Sequence, residues 1–77
     1  VMVNVTVGPE GKSRLPHDSD VSGAIEAVEE KLGGEGRVIV RASGTEPLIR
    51  VMLEGNDRSE IEGFANGLAE IIKTRLA

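Results

Sequence analysis

The first seven residues, VMVNVTV, alternate strictly. Val1, Val3, Val5 and Val7 share one face, and Met2, Asn4 and Thr6 share the other. Period-two alternation of β-branched residues predicts a strand with one buried face. The next stretch, GPEGKSRLPHDSD, is rich in Gly, Pro and polar residues and predicts a loop. Asp18, Ser19 and Asp20 offer N-cap groups for a helix after it. Val21, Ala24, Ile25, Val28 and Leu32 then recur at three- and four-residue steps, the apolar stripe of an amphipathic helix. Glu26, Glu29, Glu30 and Lys31 form its solvated side, and Gly33-Gly34 ends it. Arg37–Ala42 and Leu48–Glu54 predict a second and a third strand, broken by Gly55-Asn56-Asp57. Ser59 with Glu62 has the spacing of a capping box. Ile61, Phe64, Ala65, Leu68, Ile71 or Ile72, and Leu76 make the stripe of a second helix. Glu60 and Glu62 in its first turn and Lys73 and Arg75 near its end suit the helix dipole.

The order strand, helix, strand, strand, helix predicts an α+β fold of two layers: an antiparallel sheet of three to four strands with two helices on one face. The second and third strands form a hairpin. The first-to-second connection contains a helix, so it can cross over. Residues 1–77 read as a single domain without repeat, linker or low-complexity segment.

Composition narrows what such a domain can do. A chain of 77 residues buries only about 60 % of the surface it exposes when unfolded, so its stability is marginal. Phe64 is the only aromatic residue, which leaves a core of Val, Ile, Leu and Ala. There is no cysteine, and the single His17, read as inert, cannot build a metal site alone. The net charge of −4 and the missing aromatics argue against nucleic acid as a partner. No apolar run approaches the roughly 20 residues of a membrane span, and no signal peptide is visible, so a cytoplasmic protein is expected. The chain opens on Val1 rather than Met, as a piece of a longer polypeptide would.

The segment RASGTEPLIRVMLE, residues 41–54, holds the candidate chemistry. If Ala42 lies opposite Ile49, then Val40 faces Val51 and Val38 faces Leu53, giving one apolar face. The other face pairs Ile39 with Met52, Arg37 with Glu54, and Arg41 with Arg50. Like charges directly opposite each other destabilise a sheet. An anion reverses that sign, and phosphate suits two guanidinium forks. Ser43 and Thr45 add hydroxyls. Gly44 can take positive φ and let backbone N–H groups converge as a nest. Pro47 restricts Glu46 to extended conformations. Two blander arrangements remain open: a polar turn with both arginines splayed into solvent, and Glu46 satisfying one arginine in place of an anion.

These residues carry a family resemblance. GRVIVRASGTEPLIRVMLEG, residues 36–55, resembles the signature of the last domain of the α-D-phosphohexomutases, and R-A-S-G-T-E-P followed by R-V-M-L-E looks most like the bacterial phosphoglucosamine mutase branch. The match is dense over about twenty residues. The opening strand is similar to the start of that domain, and residues 8–35 match only in pattern.

The resemblance implies a fold of the TATA-binding-protein type, without implying DNA binding. It implies a four-domain enzyme interconverting glucosamine 6-phosphate and glucosamine 1-phosphate through a phosphoserine and a bisphosphorylated sugar. Mg²⁺ would be held by an aspartate-rich loop in another domain. The partners implied are the phosphosugar and the enzyme's other domains, with no nucleic acid and no membrane. Carried over by position, Arg41, Ser43, Gly44, Thr45 and Arg50 bind the non-reacting phosphate. Glu46 contacts the sugar or holds an arginine. The catalytic serine segment and the metal loop have no counterpart here, so this chain alone is expected to be inactive. Two other readings stand beside this one: the same domain from an enzyme acting on mannose or glucose phosphates, and a stand-alone module sensing a phosphorylated metabolite.

Overall fold

A computed structural model describes all residues from Val1 to Ala77. The elements are β1 (Met2–Thr6), α1 (Pro9–Arg14), α2 (Ser19–Leu32), β2 (Arg37–Ala42), β3 (Leu48–Glu54) and α3 (Arg58–Leu76). Short 3₁₀ turns at Leu15–His17 and Gly33–Glu35 flank α2. The sheet has three antiparallel strands in the order β1-β3-β2, so the last strand in sequence is the central one.

Register follows from the alternation. Val38, Val40 and Ala42 of β2 oppose Leu53, Val51 and Ile49 of β3. On the other side, Val3 and Val5 of β1 oppose Val51 and Ile49. A one-residue slip would turn this apolar set to water, which fixes the pairing. Helices α2 and α3 cover the face through Val21, Val28 and Leu32, and through Ile61, Ala65, Leu68, Ile72 and Leu76, all in one buried cluster with the strands. The opposite face carries no helix. There Met52 lies between Met2 and Ile39, and Arg50 between Asn4 and Arg41.

The segment expected to be a loop is largely helical. Pro9 sits in the first turn of α1 behind an extended Gly8, where its missing N–H costs nothing and its fixed φ favours helix. Pro16 likewise lies in the first turn of the Leu15–His17 3₁₀ segment. Both prolines therefore initiate structure that a breaker rule assigned to them as interruption. The helical layer thus has a third, short member. Gly11 lets it pack closely, since a Cβ there would collide with the Leu76 carbonyl oxygen at the end of α3.

The caps are partly as expected. Asp18 takes the N-cap of α2, and its Oδ1 accepts the N–H groups of Asp20 at 3.0 Å and Val21 at 3.1 Å. Gly33 ends α2 at a φ of 59°, a conformation that needs glycine. For α3 the cap is Asp57, which accepts the Glu60 N–H at 3.1 Å. The Ser59–Glu62 box is not formed, because Ser59 already lies inside the helix. Asp57 and Glu60 repeat the same three-residue spacing two positions earlier, on an extended residue free to turn its side chain back.

Candidate functional site

Arg41 is next to last in β2 and Arg50 belongs to β3, and antiparallel pairing makes them direct Cα partners. Both guanidiniums stand on the face without helices. Two rows along the same face, beyond Ile39 and Met52, Arg37 reaches Glu54 at 3.2 Å, the ion pair that the register implied. With Ala42, Ser43 and Gly44, the two arginines line a surface concavity of about 320 Å³ whose remaining wall is Met2, Ile39 and Met52. The sequence pattern did not single out this apolar row. Its signal was available in the alternation, because Met2, Ile39 and Met52 occupy the positions between the core-facing residues.

The loop after Arg41 is braced from inside and outside. The Ser43 N–H donates to the Leu48 carbonyl at 3.0 Å, and the Leu48 N–H to the Glu46 carbonyl at 2.8 Å. The Ser43 hydroxyl oxygen accepts the Glu46 N–H at 3.1 Å. From β1, the Val7 N–H reaches the Pro47 carbonyl at 2.9 Å. From α1, Lys12 Nζ donates to the Glu46 carbonyl at 3.0 Å. Lys12 lies in the segment expected to be a loop, so sequence reasoning missed this brace.

The N–H groups of Gly44 and Thr45 donate to no acceptor in the protein. Of the two, Gly44 lines the concavity with the arginines and Thr45 does not. The positive φ expected of Gly44 is not adopted: Gly33 is the only residue with positive φ. A Cβ on Gly44 would point into open space. Ser43 offers its hydroxyl less freely than expected, since its oxygen already serves the turn.

The arginines differ in their neighbours. Arg50 Nη2 lies 3.0 Å from Glu46 Oε1, so the arrangement in which a loop carboxylate stands in for an anion is realised for this residue. Arg41 has no acidic partner and no hydrogen bond to the protein. The pair therefore leaves one uncompensated positive charge in a concavity that Gly44, with its free N–H, also lines. Such a site can take a phosphate group in bidentate fashion. Of the residues proposed from the sequence, Arg41, Ser43, Gly44 and Arg50 line one concavity, whereas Thr45 and Glu46 lie on the same loop outside its lining.

Away from this loop, the notable polar group is Asp18, whose side chain is 3 % exposed. Arg75 Nε lies 3.2 Å from Asp18 Oδ2, and Arg14 lies at 3.9 Å. The Val21 N–H, aided by Arg75 and opposed by burial, holds the Asp18 carboxyl below the usual carboxylate range. The group ties the start of α2 to the end of α3. His17 sits in the recess beside it with Arg14, Ser19 and Arg75. No cluster of three or more His, Asp or Glu side chains is placed to hold a metal ion. No helix is long and apolar enough to cross a membrane.

Known proteins are similar to this chain in sequence and in fold. A phosphoglucosamine mutase of Alkaliphilus metalliredigens is 49% identical over 76 residues, and one of Caldicellulosiruptor saccharolyticus is 51% identical over 77. They match 99% and 100% of the chain, but the chain spans only 17% of either relative. A solved structure of N-acetylphosphoglucosamine mutase from Aspergillus fumigatus superposes with a TM-score of 0.73 at 26% identity, over 96% of this chain and 15% of that one. The phosphoglucomutase/phosphomannomutase C-terminal domain pattern matches residues 2–71. The chain therefore belongs to the family of phosphoglucomutase/phosphomannomutase C-terminal domains.

Proposed function

We propose that this chain grips the non-reacting phosphate of a hexosamine phosphate, as the C-terminal domain of a phosphoglucosamine mutase. The longer protein would interconvert glucosamine 6-phosphate and glucosamine 1-phosphate through a phosphoserine and a bisphosphorylated sugar, in the cytoplasm. The observation that carries the reading is the cross-strand pairing of Arg41 with Arg50 beside the free N–H groups of Gly44 and Thr45. Two cations set face to face cost stability in the empty protein. A bound phosphate turns the same groups into charge-assisted contacts. The names of the whole-chain relatives support glucosamine as the sugar over mannose or glucose.

Mg²⁺ and the phosphoserine belong to other parts of the longer protein in this reading. The residues here supply no ligand set for the metal. What they do is bind and orient: the arginines fix one end of the substrate so that its other phosphate or hydroxyl meets the catalytic serine elsewhere. Much of the gain in such a step comes from holding the reacting groups in place. Alone, the chain is expected to bind phosphate weakly and to catalyse nothing.

The test has two arms. Titrating the chain with inorganic phosphate against chloride at matched ionic strength should shift the amide signals of Ser43, Gly44 and Thr45 first. It should also raise the melting temperature, by an amount corresponding to about 1.4 kcal/mol at ten times Kd. Equal effects of the two salts would remove the phosphate site. Turnover by the full-length protein of glucosamine 6-phosphate against mannose 6-phosphate then decides the sugar.

A further inference from the structure

We propose that Glu46 is a built-in competitor for the phosphate site: its carboxylate occupies Arg50 while the site is empty and is displaced when phosphate binds. The inference rests on the reading of Arg41 and Arg50 as phosphate ligands and goes beyond it by giving Glu46 a role of its own.

The position of Glu46 is fixed by its backbone. Its N–H is held by the Ser43 hydroxyl, and its carbonyl receives both the Leu48 N–H and Lys12 Nζ. Pro47 keeps it extended. The carboxylate is thereby held within reach of Arg50, at 3.0 Å, without any other bond of its own. Both side chains are about half exposed, 46% for Arg50 and 54% for Glu46, so the pair can open into water without leaving a buried charge. Arg41 is free of any acidic partner, so an incoming anion has one guanidinium available at once and competes with Glu46 for the Nη2 donor of the second.

Displacement gives Glu46 a second use. Released beside the bound phosphate, the carboxylate is an acceptor with no donor, and a polyol carried by that phosphate brings hydroxyl donors to it. Glu46 therefore weakens binding of inorganic phosphate and is partly repaid by a sugar phosphate. It acts as a specificity residue, favouring an ester that carries hydroxyls over the bare anion.

The experiment compares wild type with Glu46→Gln, titrating each with inorganic phosphate and with glucosamine 6-phosphate and following amide shifts. Spectral dispersion of each variant reports that it is folded. Glu46→Gln should tighten inorganic phosphate by up to about fivefold, the upper end of what exposed ion pairs contribute. It should tighten glucosamine 6-phosphate less. In an Arg50→Ala background the tightening should vanish. The Glu46 side-chain carboxyl carbon of wild type should shift as phosphate is added. If phosphate binds wild type but Glu46→Gln leaves its affinity unchanged or lower, the competitor role is overturned and the phosphate site stands. If neither protein binds phosphate saturably, the phosphate site falls and this role falls with it.

Discussion

Arg41 and Arg50 are Cα partners across β2 and β3, yet only Arg50 has a carboxylate within reach, Glu46 at 3.0 Å. The two guanidiniums are therefore unequal before any ligand arrives. Arg41 carries the uncompensated charge, and Arg50 carries a replaceable partner.

This asymmetry separates the two alanine variants. Without ligand, Arg41→Ala should raise stability by about 0.2–1 kcal/mol, the scale of a relieved cross-strand pair. Arg50→Ala should raise it less, because the Glu46 contact goes as well. With ligand, each should weaken phosphate binding by roughly 1.5–3 kcal/mol, the scale of a hydrogen bond to a charged group. Lysine at either position should restore part of this, since the charge returns without the planar fork. Thermal melts with and without phosphate measure both effects.

Asp18 predicts an acid limb in the stability profile. Its folded carboxyl titrates below the ordinary value of 3.8, so the unfolded chain takes up its proton first. The stabilisation is complete above that value and is lost as pH falls from it through the depressed folded value. Asp18→Asn keeps a cap but ends the attraction to Arg75. It should melt lower than wild type at neutral pH and lose less stability on acidification. Melts taken from neutral pH down to about pH 2 check the sign.

Glycine positions should split by what surrounds them. Gly11→Ala drives a Cβ into the Leu76 carbonyl oxygen, which is backbone and cannot step aside. It should destabilise by about 1–3 kcal/mol. Gly23, Gly63 and Gly67 lie within helices and have nothing near the added Cβ. Alanine at each should stabilise by about 0.4–1 kcal/mol through the unfolded chain. Denaturant midpoints distinguish the four variants.

The hairpin register was legible because one alignment alone placed Val38, Val40 and Ala42 over Leu53, Val51 and Ile49 while pairing Arg37 with Glu54. Period-two patterning determines a face, and the face brought Arg41 and Arg50 together. Helix α1 was not legible, because Pro9, Gly11 and Pro16 read as breakers. Only the tertiary contact of Gly11 with the end of α3 explains why a glycine stands there. The cap at Asp57 was missed because Ser59 and Glu62 offered an equal spacing two residues later. At the site, alternation located the arginines, but that Glu46 reaches Arg50 is decided by loop geometry, which pattern does not encode.

The sheet order β1-β3-β2 also sets a sequence of events in time. Neither outer strand has a partner until β3 is present. β2 meets it across the turn of residues 43–47, whereas Val1 and Leu53 are joined over a separation of 52 residues. Closing the short loop costs less entropy, so the β2–β3 hairpin should assemble first and β1 dock last. If the hairpin is already formed in the folding transition state, the like-charged pair is formed there with it. An anion bridging Arg41 and Arg50 should raise the folding rate more than it lowers the unfolding rate. A chevron in phosphate against chloride should show its folding arm lifted and its unfolding arm nearly unmoved, so that the ligand site also sets the pace of folding.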